Sequence, residues 1–547
     1  MNEGGRDAGS ADGERSGDDD TDGDPSGGDR LLAGVKRRVN MVFKGREEFD
    51  LTSGGIGKPL FYLSLPIVIT NLLQTAYNLV DTIWLGQYSE EALAAIGVAF
   101  PLVFFLISLG LGISIAGSIL VAQNVGAGDE EQAEFAASQT VTFAIIASLI
   151  LGSVGYLFVG DLIGLLGGPP NVVAEATGYL EIISLGMVFM FAFFVFMSLM
   201  RGYGDTITPM LVMFVTVVVN MILDPFLIFG WGPFPELGVQ GAAYATVFSR
   251  ALATVIGMAI MFRGNRGVQI RLADMVPDLA YLRKILRVGV PASIENTGNS
   301  IAVVLMLTIV TPFGETVIAA YTVGVRMFSV IFLPAIAVGR GVETMAGQNI
   351  GADETERAGR ATGFAAKAMF GVLAGVGVLT WLGAPNIVAI FSNDAEVIEI
   401  GRLFLRYVAP TFGFTGIFHA YKGGFRGAGK TMTAAAISIT MLGVVRLPVA
   451  YVASRPLAYE GNWLAGLLSG VPVLDGVAGA VADLLFSGSL GYEGIWLAFG
   501  VSNVAGALIA YLWFSRGTWR DADLTGSAVA AVDGDADPSD PEPATDD

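Results

Sequence analysis

Gln123-Asn-Val-Gly-Ala-Gly-Asp-Glu-Glu-Gln-Ala133 and Gln348-Asn-Ile-Gly-Ala-Asp-Glu-Thr-Glu-Arg-Ala358 are two versions of one stretch, 225 positions apart. The same offset carries Pro66 onto Pro291, Asn71 onto Asn296, Ala94 and Ala95 onto Ala319 and Ala320, and Arg201-Gly202 onto Arg426-Gly427. One register, held without a gap over more than half of each unit, marks an internal duplication. In a strongly apolar chain a repeat this long points to two copied helical bundles, as in secondary transporters.

The chain of 547 residues is 53% hydrophobic and 15% charged, against about 25% charged in a soluble domain. Its acidity belongs to the ends. Residues 1–29 hold ten acids and two bases, and residues 521–547 hold nine acids and no base, out of a total of −19. These tails are rich in Asp, Gly, Ser and Pro, with little to bury, and read as disordered. Their charge argues against nucleic acid as a partner and fits solvation in a salty cytoplasm, hence a halophilic source. With no cysteine and one histidine, His419, neither disulfides nor a thiol or histidine metal centre is expected. No cleavable signal peptide is expected either, because the first apolar run begins near residue 60.

Twelve apolar runs are long enough to cross a bilayer: roughly 60–85, 92–121, 134–159, 177–200, 208–230, 239–262, 286–311, 317–345, 361–390, 398–422, 433–453 and 492–514. None alternates in polarity, so they read as helices and not as strands of a barrel. The connector 263–287 carries Arg263, Arg266, Arg271, Arg283, Lys284 and Arg287, whereas the loops on the other side are nearly free of bases. This places the connector and both termini in the cytoplasm. The fold class is therefore all-α integral membrane, with twelve transmembrane helices in two pseudo-symmetric six-helix lobes related as parallel repeats. The domain reading is an acidic tail with a basic membrane approach over 1–50, a first lobe over 51–262, a connector over 263–285, a second lobe over 286–515 and an acidic tail over 516–547. The second lobe has gained 28 residues within 454–489, read as an exterior loop with a short interfacial helix.

A charge at the centre of a bilayer costs about 2.5–3.5 kcal/mol on insertion scales, so buried acids here need a partner or a task. Gln74, Asn78 and Asp81 recur with Asn71 on one face of the first helix, bordered by Tyr77. Asn220 and Asp224 stand one turn apart in the fifth. If these faces meet, two carboxylates share a dry pocket with amides and a phenol. Burial and like charge in such a pair favour the binding and release of protons. Interhelical hydrogen bonding is the plainer reading for the amides. The duplication favours chemistry for the acids, because Asp81 and Asp224 have Met306 and Val449 as counterparts, and no Lys or Arg lies in either helix core. Glu295, opposite Thr70, gives the second unit a carboxylate of its own, while Glu343 reads as a local salt bridge with Arg340. Pro66 and Pro291 permit a kink in each first helix. The glycine-rich turns Arg201-Gly-Tyr-Gly-Asp-Thr206 and Arg426-Gly-Ala-Gly-Lys-Thr431 lack a preceding strand and the spacing of a nucleotide loop.

Several ordered motifs over residues 50–515 resemble the multidrug and toxic compound extrusion (MATE) family, in its DinF-like prokaryotic branch. They are Asn78-Leu-Val-Asp-Thr-Ile-Trp84, Ala122-Gln-Asn-Val-Gly-Ala-Gly128, Arg201-Gly-Tyr-Gly-Asp-Thr206, Asn220-Met-Ile-Leu-Asp-Pro225 and Gly241-Ala-Ala-Tyr-Ala-Thr246. The resemblance implies a secondary active multidrug efflux transporter, not an enzyme, that exports small-molecule drugs and organic cations by antiport. It needs no cofactor beyond the coupling ion, H⁺ or Na⁺. It implies a cation-coupling site at Asp81, Asn220, Asp224 and Thr246, with Na⁺ an option at the first three. It further implies a substrate cavity that includes Gln74, Tyr77, Asn78 and Glu295, and a bending proline at Pro66. In other branches an acid of the tenth helix completes a second site. Here that helix carries Arg402, Arg406, His419 and Lys422 and no central acid. A monomer in the plasma membrane is the expected state. Competing readings are a lipid-linked oligosaccharide flippase of the same superfamily, and a passive channel or non-transporting scaffold.

Overall fold

The computed structural model describes residues 50–166, 169–455, 490–520 and 524. Its helices begin and end where local chemistry dictates. Gly57–Tyr88 (α1) is followed by Glu90–Gly126 (α2), whose first turn is fixed by the Ser89 side chain accepting from the Ala92 N–H at 3.0 Å. Glu90 and Glu91 in that turn complement the helix dipole. Glu130–Leu166 (α3), Pro170–Leu185 (α4), Met187–Tyr203 (α5), Ile207–Phe229 (α6) and Gly238–Arg263 (α7) complete the first half. Gly204, Gly230 and Gly264 end the last three with positive φ, which a side chain would disfavour.

The second half runs through Leu279–Val310 (α8), Glu315–Ile331 (α9), Leu333–Gly351 (α10), Thr355–Ala389 (α11), Ala395–Val408 (α12), Phe412–Gly427 (α13), Thr431–Ile439 (α14), Leu447–Ser454 (α15) and Tyr492–Ser515 (α16). Between α14 and α15, Thr440–Arg446 is wound as a π-helix, so one continuous span covers Thr431–Ser454. Among the described residues ten helices are long and apolar enough to cross a bilayer, or eleven if α4 and α5, bent by 56°, count as one span. The run 398–422 forms α12 and α13. These helices are 14 and 16 residues long, each too short to count as a span by itself, although α13 packs closely between α11 and α16. The tails and the loop at 456–489, with the interfacial helix expected there, lie outside the described residues.

The repeated stretch forms the joint between the halves. Gln123 Nε2 donates to the Gly427 carbonyl at 2.9 Å, and Gln348 Nε2 donates to the Gly202 carbonyl at 3.0 Å. The offset of 225 maps one bond onto the other. A Cβ on Gly126 would stand 1.9 Å from the Gln348 carbonyl oxygen, and one on Gly351 would stand 1.9 Å from that of Gln123. Only glycine admits this crossing of α2 and α10. The core crosses between halves as well. Leu51, Leu60 and Leu63 share a cluster with Val342, Met345 and Phe425, while Ile285, Val288 and Ala292 share one with Ile115, Ile119 and Phe193.

Gly126→Val must push α2 away from α10, and overpacking of this kind costs about 1–3 kcal/mol. The expected result is a lower melting temperature in thermal unfolding of the purified protein. Gly371→Ala, where an added Cβ meets nothing within 4 Å, serves as the control that leaves it in place. Equal melting temperatures for the two would show that the crossing is not a constraint.

Candidate functional site

The first half gathers its polar residues where α1, α6 and α7 meet. The 3.6-residue period of α1 brings Gln74, Tyr77, Asn78 and Asp81 to one side. On α6, Asn220 and Asp224 are fully buried, and Asn220 Nδ2 donates to Asp224 Oδ1 at 3.2 Å. Pro225 has no N–H to offer the Met221 carbonyl, so the helix is also short of donors at this level. The carboxyl groups of Asp81 and Asp224 lie within hydrogen-bonding reach of each other. From α7, Thr246 closes the group through a 2.7 Å hydrogen bond between its Oγ1 and the Tyr77 hydroxyl. The four expected coupling residues therefore stand together around one pocket.

The pocket holds more acceptors than donors. Asp81 Oδ1, Asn220 Oδ1 and Asp224 Oδ2 are buried and make no hydrogen bond. Buried polar atoms are normally paired, and three unpaired oxygens on two carboxylates and an amide describe the complement of a cation. A proton on either carboxyl supplies a donor among these acceptors. A sodium ion, which takes oxygen ligands, could be held by all three side chains.

Sequence reading missed Arg250. It lies on α7, one turn beyond Thr246, and is buried. Its Nη2 donates to Gln74 Oε1 at 2.8 Å, and its guanidinium stands 5.1 Å from the ring centroids of both Tyr77 and Phe193. Gln74 in turn donates through Nε2 to Asn78 Oδ1 at 3.1 Å. A base does therefore border the acids, but it comes from a third helix. The signal was present as a single arginine inside the apolar run 239–262.

Glu295, expected on the cavity wall, is placed elsewhere. It is fully buried on α8 and closed in by charge. Arg426 Nη2 lies at 2.7 Å from Oε2, Lys422 Nζ at 3.1 Å from Oε1, and Ser438 Oγ donates to Oε1 at 2.9 Å. Arg426 also reaches Glu343 at 3.8 Å, and the expected Arg340–Glu343 pair is present at 3.1 Å. Two bases of α13 thus neutralise Glu295. A cavity of about 670 Å³ lies beside this cluster, with Phe105 of α2, Val290, Ile294 and Thr297 of α8, and Leu442 and Leu447 around the π-helix among its lining residues. Pro66 is buried inside α1, and the Thr70 hydroxyl donates to its carbonyl at 2.8 Å.

A family model described as MatE matches residues 66–226 and 291–452, one match per half. The chain is 31% identical over 438 residues to a probable multidrug resistance protein, YoeA, of Bacillus subtilis, covering 79% of this chain and 92% of that one. It is 30% identical over 443 residues to the probable multidrug resistance protein NorM of Thermotoga maritima, covering 80% and 91%. A solved structure described as the outward-facing conformation of a multidrug resistance MATE family transporter of the MOP superfamily superposes with a TM-score of 0.73 at 25% identity, covering 85% of this chain and 97% of that one.

The two acidic clusters should respond oppositely to neutralisation. Glu295→Gln breaks a buried ion pair, a loss of about 3–5 kcal/mol, and should lower the melting temperature clearly. Asp224→Asn removes a like-charge contact and supplies a donor, so the melting temperature should hold or rise. A drop for Asp224→Asn as large as for Glu295→Gln would mean that the pocket is already satisfied.

Proposed function

The chain belongs to the MatE family, and from that premise we propose that it exports amphipathic, cationic compounds in exchange for H⁺ or Na⁺. The names of its relatives support a multidrug efflux transporter in the cell membrane. The observation that carries the coupling is the set of unpaired oxygens on Asp81, Asn220 and Asp224. With both carboxylates ionised, the first half attracts a cationic drug. H⁺ or Na⁺ arriving from outside cancels that charge, so the attraction ends and α1 and α6 repack. Arg250 is bound to Gln74 and stacked on Tyr77, and it ties the charge of the pocket to the face of α1.

The energy is sufficient. A membrane potential supplies about 2.3 kcal/mol per charge per 100 mV, and about 1.4 kcal/mol is tenfold in concentration. One charge moved therefore sustains a gradient of tens. Termini in the cytoplasm and a monomeric state complete the proposal.

The test is accumulation of a fluorescent organic cation in everted membrane vesicles under separately imposed H⁺ and Na⁺ gradients. Wild-type protein should accumulate it against at least one gradient. Asp81→Asn and Asp224→Asn should lower the rate at least tenfold at equal expression. Wild-type rates in Asp81→Asn would sink the coupling scheme. A flippase would move no drug, and a channel would show no gradient-driven accumulation.

A further inference from the structure

Arg446 lies inside the spanning helix Thr431–Ser454, and among the described residues no carboxylate pairs with it. It is nevertheless held in place. Its Nε donates to Ser502 Oγ at 2.8 Å and its Nη2 to Asn503 Oδ1 at 3.0 Å. Asn503 is fixed in turn by donating from Nδ2 to Thr411 Oγ1 at 3.0 Å. The guanidinium sits 4.3 Å from the centroid of the Phe499 ring. Ser502, Asn503 and Phe499 are all buried. Among the described residues only two of the five guanidinium N–H groups have a partner, and Nη1 has none. A guanidinium oriented by neutral groups, with donors unspent, is a prepared receptor for an oxyanion.

The surroundings offer room for a ligand. Arg446 ends the π-helix Thr440–Arg446, and such turns recur at functional sites because they release backbone groups and re-aim side chains. Leu442, Gly443 and Leu447, on this turn and next to it, line the cavity of about 670 Å³, whereas Arg446 itself lies just outside its lining; the volume is within the usual range of small-molecule pockets.

The duplication gives the sign of the site. At the offset of 225, Arg446 stands where the first half has Met221, and Val449 stands where it has Asp224. At the offset of 253 that relates the last helices, Asn503 replaces Arg250 and Phe499 replaces Thr246. The first half thus has two acids and one base around its pocket, and the second half has one base and no acid at the equivalent level. We infer that Arg446 binds the anionic group of an amphipathic substrate, a carboxylate, sulfonate or phosphate, whose apolar body lies in the adjoining cavity. A zwitterionic substrate is then oriented, its basic end drawn to the first half and its acidic end to Arg446. The substrate class rests on the efflux reading, whereas the anion site does not.

The experiment compares a zwitterionic carboxy-rhodamine with its cationic methyl ester, binding each to purified full-length protein by fluorescence anisotropy without any gradient. Arg446→Gln should weaken the free acid at least tenfold relative to the ester, and Arg446→Lys should fall between. An equal effect on both compounds, or none, overturns the proposal. Binding is repeated with sodium chloride replaced by an uncharged osmolyte. If removal of chloride abolishes binding of both compounds and Arg446→Gln removes that dependence, the ligand is free chloride and the substrate assignment falls. Should Arg446→Gln not fold, wild-type protein still decides: octanoate must displace the free acid and not the ester, and failure to do so overturns the site. Loss of gradient-driven export with Arg446-dependent binding intact would count against the efflux reading alone.

Discussion

The whole molecule hangs on the approach of two backbones. Where α2 crosses α10, the Gly126 and Gly351 Cα atoms lie so near the opposing carbonyls that no side chain fits. In hydrocarbon there is no hydrophobic force to press helices together, so close packing and interhelical hydrogen bonds must do it. The Gln123 and Gln348 amides supply those bonds, each to a carbonyl at the end of a helix of the other half. Around this crossing the ends of α1 and α8 are exchanged, so each half completes the core of the other.

The same joint explains how one copied scaffold holds two kinds of chemistry. Packing at the crossing tolerates little, and both copies kept it. The interior of each half is freer, and there the copies diverged. The first half kept carboxylates whose oxygens exceed the available donors. The second surrounded its own carboxylate, Glu295, with Arg426, Lys422 and Ser438, and kept on the π-helix a guanidinium, Arg446, that pairs with no carboxylate among the described residues. An unpaired charge is an invitation to a ligand, whereas a closed cluster is structural, and the two halves show both outcomes.

Much of this was legible in the sequence for a physical reason. The bilayer forces helices of set length, and the duplication gives a control for each position. Asp81 and Asp224 stood out because their counterparts are Met306 and Val449. Periodicity placed Gln74, Tyr77 and Asp81 on one face, but it carries no information about which helices meet. Arg250 was overlooked for that reason: its partners Gln74 and Tyr77 lie more than 170 residues away along the chain. The partners of Glu295 were out of view for the same reason, since the bases that neutralise it belong to α13. The π-helix left no mark at all, because a single extra residue per turn does not disturb an apolar run.

The bonds at the joint have one further property. Each glutamine reads a main-chain carbonyl, not a side chain, so the identity of the residue it contacts is nearly irrelevant to the bond itself. Two halves joined in this way need not change in step. Pairwise correlation between positions, which usually betrays contacts in families of related chains, would be weak at the very place where contact is tightest. Such a joint leaves evolution a free hand at these positions: the residues whose carbonyls the glutamines read can change side chain without a matching change in the other half.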